Sequence, residues 1–269
     1  MADKKRIALI VEGAKREVNY WKSLAPIFFP KTEFEILPLS LGENLFMLYA
    51  QLKRDDDLDV IEVVRERSPE AEQALLGKTN EDFQEIYLLM DFDPQAYEYK
   101  NNPPVVREQP PCETVRQMLD FFDNETEQGR LYVSYPMCEA LRDVREGECL
   151  SFYRCHVPYS EICNYKNCSG KSAFSDHTRY DKYTWQMFLA IFLRRCNCLL
   201  KKETEPEKLL DWYKKENISP TEIFREEREL FEQKDEVFVL SAFSEFLLDY
   251  FKPEFWKDLA PETIRKGCT

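Results

Sequence analysis

Two apolar runs, each stopped by acidic residues, constrain this chain more than any other feature. The first is Ile7-Ala-Leu-Ile-Val11, followed by Glu12-Gly13; the second is Glu85-Ile-Tyr-Leu-Leu-Met90, followed by Asp91-Phe-Asp93. Short runs of this kind, without polar alternation, belong to strands buried on both faces, as in a parallel sheet. Open α/β sheets place their ligands beyond the carboxyl ends of such strands. Glu12, Asp91 and Asp93 stand at those ends and can converge on one edge. Taken singly, each has an ordinary alternative: Glu12 as a cap on the helix that follows, Asp91 and Asp93 as turn residues before Pro94.

The rest of the first half supplies the helices of an α/β fold. Residues 14–28 read as a helix with Val18, Trp21, Ala25 and Phe28 on one face and Pro30 beyond its end. A short strand over 34–39 follows, then a helix over 43–54 carrying Leu45, Leu48, Tyr49 and Leu52, and another over 60–76. A Pro- and Asn-rich loop spans 94–111 before a helix marked by Cys112, Val115, Met118, Leu119 and Phe122 and a last strand at 131–134. Strands alternating with helices imply a parallel sheet with flanking helices. From 137 onward helical periodicity dominates, at 137–146, 179–202, 206–217, 220–233 and 239–251. The expected organisation is an α/β domain over 1–135 and a mainly α-helical region over 136–269, packed on the sheet.

Three carboxylates on one sheet edge repel one another unless a cation neutralises them, and hard oxygen ligands select magnesium or manganese. In this order and topology, Glu-Gly after the first strand and Asp-x-Asp after a later one resemble the Toprim domain of topoisomerases, bacterial primases, ribonuclease M5 and OLD-family nucleases. The resemblance covers about residues 5–135. Within the superfamily, Glu17 and the following Val18-Asn-Tyr-Trp21 look most like the RloB-like and OLD-type proteins linked to phage defence. The resemblance implies Glu12 as acid/base or metal ligand, Asp91 and Asp93 as magnesium ligands, and Glu17 and Glu139 as candidates for a second metal. The chain departs from the pattern in the long spacing between Glu12 and Asp91 and in the phenylalanine between the aspartates.

Charge placement points to substrate. The chain carries a net charge of −13, so its surface as a whole repels nucleic acid. Between Tyr165 and Lys202, however, eight basic residues face only Asp176 and Asp181, which makes this segment +6 and the remainder −19. Tyr165, Phe174, Tyr180, Tyr183 and Trp185 interleave with the charges. Basic side chains bind phosphates and aromatic faces stack unpaired bases, which makes Lys171, Arg179, Lys182 and Trp185 candidate nucleic-acid contacts. The alternative is a solvated basic helix face. Lys15 and Arg16, at the start of the first helix, are placed to meet a phosphate. Ser169-Gly-Lys-Ser172 is not a P-loop, because Tyr165 stands where the first glycine belongs.

Nine cysteines without a regular framework, in a chain whose start runs straight into a strand, indicate reduced thiols and a cytoplasmic location. Cys155, His156, Cys163, Cys168 and His177 offer zinc ligands, but their spacing matches no common zinc module and ordinary thiols are the better reading. No apolar stretch approaches the roughly 18–20 residues of a membrane span. The expectation is therefore a magnesium-dependent endonuclease acting on DNA or RNA, tRNA included. The resemblance implies a toxic effector of anti-phage defence with an ATPase partner protein; homo-oligomerisation is left open. A ribonuclease M5-like RNA-processing enzyme and a non-catalytic Toprim-scaffold subunit remain alternatives.

Overall fold

The first apolar run forms strand β1 (Lys5–Val11). β2 (Phe34–Ser40) lies parallel to it on one side, with Lys5 opposite Phe34 and Val11 opposite Ser40. β3 (Glu85–Asp91), the second run, lies parallel on the other, with Ile7 opposite Glu85 and Val11 opposite Leu89. The short β4 (Asp123–Asn124) and β5 (Gly129–Ser134) complete the order β2-β1-β3-β5-β4. Pro38 thus falls on an edge strand, where a missing N–H is tolerated. β4 runs antiparallel to β5, so the sheet is mixed, where the sequence implied a parallel one. A pair of residues is too short to show an alternation signal.

This computed structural model describes residues 4–13, 15–42, 44–92, 110–144, 155–172, 174–251 and 253–256. Asp93 and most of the loop after it lie outside the described residues. The chain divides into two compact units, residues 1–132 and 133–269, the division falling within β5.

In the first unit Ile7 to Val11 are buried throughout, which is why the run shows no alternation. α1 (Arg16–Phe28) buries Glu17, Tyr20, Trp21, Leu24 and Phe28. This stripe is turned by about one residue from the expected Val18, Trp21, Ala25 and Phe28. Tyr20 and Leu24 remove more apolar area from water than Val18 and Ala25 would, and the turn carries Glu17 to the inner face. α2 (Leu45–Leu52) starts behind Asn44, whose side chain accepts the Met47 N–H at 3.2 Å. The single helix expected over 60–76 is two, α3 (Val60–Arg65) and α4 (Pro69–Ala74). Pro69 disfavours helical backbone at Ser68, and the Ser68 hydroxyl instead accepts the Ala71 N–H at 3.1 Å to start the next helix. α5 (Pro111–Phe121) buries Cys112, Val115, Met118 and Leu119.

The second unit is mainly helical but not all-helical. β6 (His156–Pro158) and β7 (Glu236–Phe238) pair antiparallel, His156 opposite Phe238. The helix expected over 137–146 is a 3-10 turn at Cys138–Arg142. α6 (Ile162–Ser169), which has no counterpart among the helices expected from the sequence, precedes α7 (Lys182–Leu199), α8 (Leu209–Glu216), α9 (Pro220–Lys234) and α10 (Ala242–Tyr250). Asp181 caps α7, accepting the Thr184 N–H at 2.8 Å. Among the described residues no helix is long and apolar enough to cross a membrane.

Candidate metal centre at the sheet edge

Glu12 follows β1 directly, and its carboxylate joins segments far apart in sequence. One oxygen accepts the Leu45 N–H at 2.8 Å and the other the Asp91 N–H at 3.1 Å. Leu45 opens α2, and first-turn amides lack partners within their own helix. Glu12 therefore does cap a helix, but the one after β2 rather than the one that follows it. Its second bond fixes the end of β3 beside the end of β1, which aligns the backbone carrying Asp91.

Glu17 sits in the first turn of α1 and accepts the Gly13 N–H at 3.0 Å. The approach leaves no room for a side chain at residue 13: a Cβ there would stand 2.4 Å from a Glu17 oxygen. Glu17 is buried, not an exposed helix charge. It and half-buried Asp91 bring carboxylate oxygens within 4.8 Å of each other. Two such oxygens so close are a pair that a cation can share. The role of Gly13 is what sequence reasoning missed here; its signal is the four-residue spacing to Glu17. Lys15 and Arg16 lie at the start of α1, Lys15 exposed and Arg16 half-buried.

The other candidates belong to the second unit. Glu139 is buried on the 3-10 turn, with the Cys138 sulfur 3.2 Å and the Lys166 Nζ 3.9 Å from its oxygens. Lys171 and Lys182 are exposed, and Arg179, with its side chain 84% exposed, pairs with Asp176 at 3.1 Å. Trp185 is a correction. Its exposure is 0%, and it packs edge-on against Tyr180 and Phe188 with centroids 6.0 and 5.6 Å away. A ring so enclosed offers no face to a base; it lies on the apolar stripe of α7 with Phe188 and Leu189. His156 lies 3.5 Å from Glu236 across the β6–β7 pair, and Cys163 and Cys168 lie on α6. Among the described residues these cysteines and histidines form no group of three ligand atoms, and no disulfide links the described cysteines.

No protein-family model matches the chain, and no curated protein or solved structure matches it. The sheet order, the strand-end carboxylates and their partners thus stand as the basis for any functional reading.

Proposed function

We propose that the first unit is the catalytic half of a metal-dependent nuclease of Toprim type, and that the second unit contributes the nucleic-acid contacts. The observation that carries this reading is the approach of Glu17 and Asp91 to within 4.8 Å at the carboxyl ends of adjacent parallel strands, where Glu12 aligns the backbone. In this reading Asp91 and Glu17 hold magnesium or manganese, and Asp93 adds a further carboxylate. The metal, when bound, supplies charge stabilisation for the phosphate and lowers the pKa of water. Gly13 holds Glu17 in place through its N–H. Lys15 and Arg16 orient the phosphate from the start of α1, and Lys171, Arg179 and Lys182 contact the nucleic-acid backbone. A toxic role in phage defence and control by an ATPase partner follow from the family resemblance alone, and homo-oligomerisation is compatible with either.

One feature favours a second reading. Both Glu12 oxygens are engaged by backbone N–H groups, a structural use that a non-catalytic scaffold would also need. The deciding experiment incubates the purified chain with plasmid DNA and with total tRNA, in magnesium, in manganese and in EDTA. Metal-dependent cleavage of one class, lost in Glu17→Gln and Asp91→Asn, supports the nuclease and identifies its substrate. Absence of both cleavage and any metal-linked rise in melting temperature leaves the scaffold reading.

A further inference from the structure

Arg142 is a buried cation whose neighbouring carboxylates face other partners. It ends the 3-10 turn of the second unit and keeps only 7% of its surface exposed. Glu139 faces Lys166 at 3.9 Å, and Asp143 faces Arg195 at 3.8 Å. Among the described residues no carboxylate pairs with Arg142 itself. Its Nε is buried without a hydrogen-bond partner, and an Nη donates only a long bond, 3.4 Å, to the Ser169 hydroxyl. A guanidinium carries five donors in a fork that matches an oxyanion. Burying one without a counter-charge is costly, and a bound anion removes that cost.

The surroundings fit an anion. Ser169-Gly-Lys-Ser172 lies beside the guanidinium: a Cβ on Gly170 would be in ordinary contact with Nη2, at 3.7 Å. The Ser172 hydroxyl bonds the Arg142 carbonyl at 2.9 Å, which ties the turn to the arginine's own backbone. The turn's amides are already used: Gly170, Lys171 and Ser172 donate to the carbonyls of Lys166, Cys168 and Ser169 at 3.1, 3.0 and 3.2 Å. Unlike a P-loop, then, any anion here must be held by side chains. Lys171 is exposed at the turn. Burial pushes the Tyr180 phenol up, and the Arg142 charge partly opposes that shift, which puts the cation's field at this spot.

We propose that Arg142 and the Ser169–Ser172 turn form a phosphate-binding site, with the guanidinium as the inner donor and Lys171 as the outer one. The phosphate is either a backbone group of nucleic acid or a free phosphate or monoester; both present the same oxygens to the arginine. The proposal does not depend on metal binding by Glu17 and Asp91.

Thermal melting of the full chain tests this in three solutions of matched ionic strength: sodium chloride, inorganic phosphate, and chloride with a single-stranded oligonucleotide lacking terminal phosphates. Wild type should melt higher in phosphate or with the oligonucleotide than in chloride, the rise growing with ligand concentration. Arg142→Met should melt at or above wild type in chloride, because the unpaired charge is gone, yet respond to neither ligand. Lys171→Gln, an exposed change that leaves the fold intact, should need about tenfold more ligand for the same rise. If Arg142→Met fails to fold, Lys171→Gln decides. A response to the oligonucleotide assigns the site to nucleic acid, and a response to inorganic phosphate alone assigns it to a free phosphate or monoester. Equal wild-type melting in all three solutions, or a Lys171→Gln chain responding as wild type does, would overturn the proposal.

Discussion

Glu12 and Gly13 show how adjacent residues come to hold one site by different means. Glu12 acts through its side chain, which accepts N–H groups 33 and 79 residues away. Glu12→Ala leaves those amides without the acceptor they now have, at about 1–3 kcal/mol each. The variant should therefore lower the urea midpoint, and lost activity in it would not by itself identify a ligand. Glu17→Gln and Asp91→Asn are the cleaner probes of metal binding. Gly13 acts through having no side chain. In Gly13→Ala the new methyl meets the end of a flexible carboxylate, so Glu17 swings aside at small cost to folding. The expected outcome is a melting temperature close to wild type without metal, with manganese-linked stabilisation weakened on the order of tenfold or more, as when other supports of a ligand are removed. A Gly13→Ala chain that takes up manganese as wild type does would separate Glu17 from the metal.

At the scale of elements, α9 and α7 each carry a residue whose role follows from what packs against it. Glu227 of α9 is fully buried and accepts the Phe238 N–H of β7 at 3.0 Å. Burial pushes its carboxyl up to about 8, against the opposing effect of the Phe238 hydrogen bond. The folded form thus holds a proton that the unfolded chain releases near its ordinary value of 4.5. Between those two values the native state binds more protons, so stability falls as pH rises, by on the order of 1 kcal/mol per pH unit, and the loss levels off above the folded value. Glu227→Gln keeps an acceptor for Phe238 and cannot ionise. It should melt above wild type at pH 8 and close to it at pH 5, which a melting series across that range would read. On α7, Trp185→Ala removes an enclosed indole and should cost about 3–5 kcal/mol of stability. Nucleic-acid affinity per folded molecule should not change.

For the whole molecule, a net charge of −13 opposes any polyanion, so binding must rest on a few local cations. Lys171, Arg179 and Lys182 are exposed on the second unit, Arg179 in an ion pair with Asp176 that a phosphate would have to replace. Replacing all three by glutamine should weaken nucleic-acid binding and flatten its salt dependence by roughly 0.7–0.9 in the log-log slope for each phosphate no longer neutralised. Titrations from low to physiological salt measure both quantities. An unchanged slope would make this a solvated basic face and move substrate docking elsewhere.

The residues of β1 and β3, and the acids after them, are legible without coordinates because a strand buried on both faces leaves an apolar run whose end is also a sheet edge. The helices α2, α5 and α7 are legible for a similar reason, since each keeps its apolar residues at helical spacing. Periodicity records that a side chain is to be buried and says nothing of its partner. Only the tertiary structure decides that α1 turns Glu17 inward, because that choice compares the apolar area of Tyr20 and Leu24 with that of Val18 and Ala25. The same holds for Trp185, which reads equally as a stacking platform or a core ring until Tyr180 and Phe188 enclose it. Glu227 and Arg142 sit in stretches whose charge reads as solvated surface. Their burial is set by β7 and by the Ser169–Ser172 turn, segments whose place beside them no local pattern encodes. Asp123–Asn124 pairs because Gly129–Arg130 lies opposite, a property of the neighbour rather than of the strand. Local sequence thus determines where acids meet the sheet edge, and long-range packing determines which of them hold the fold and which come close enough to share a cation.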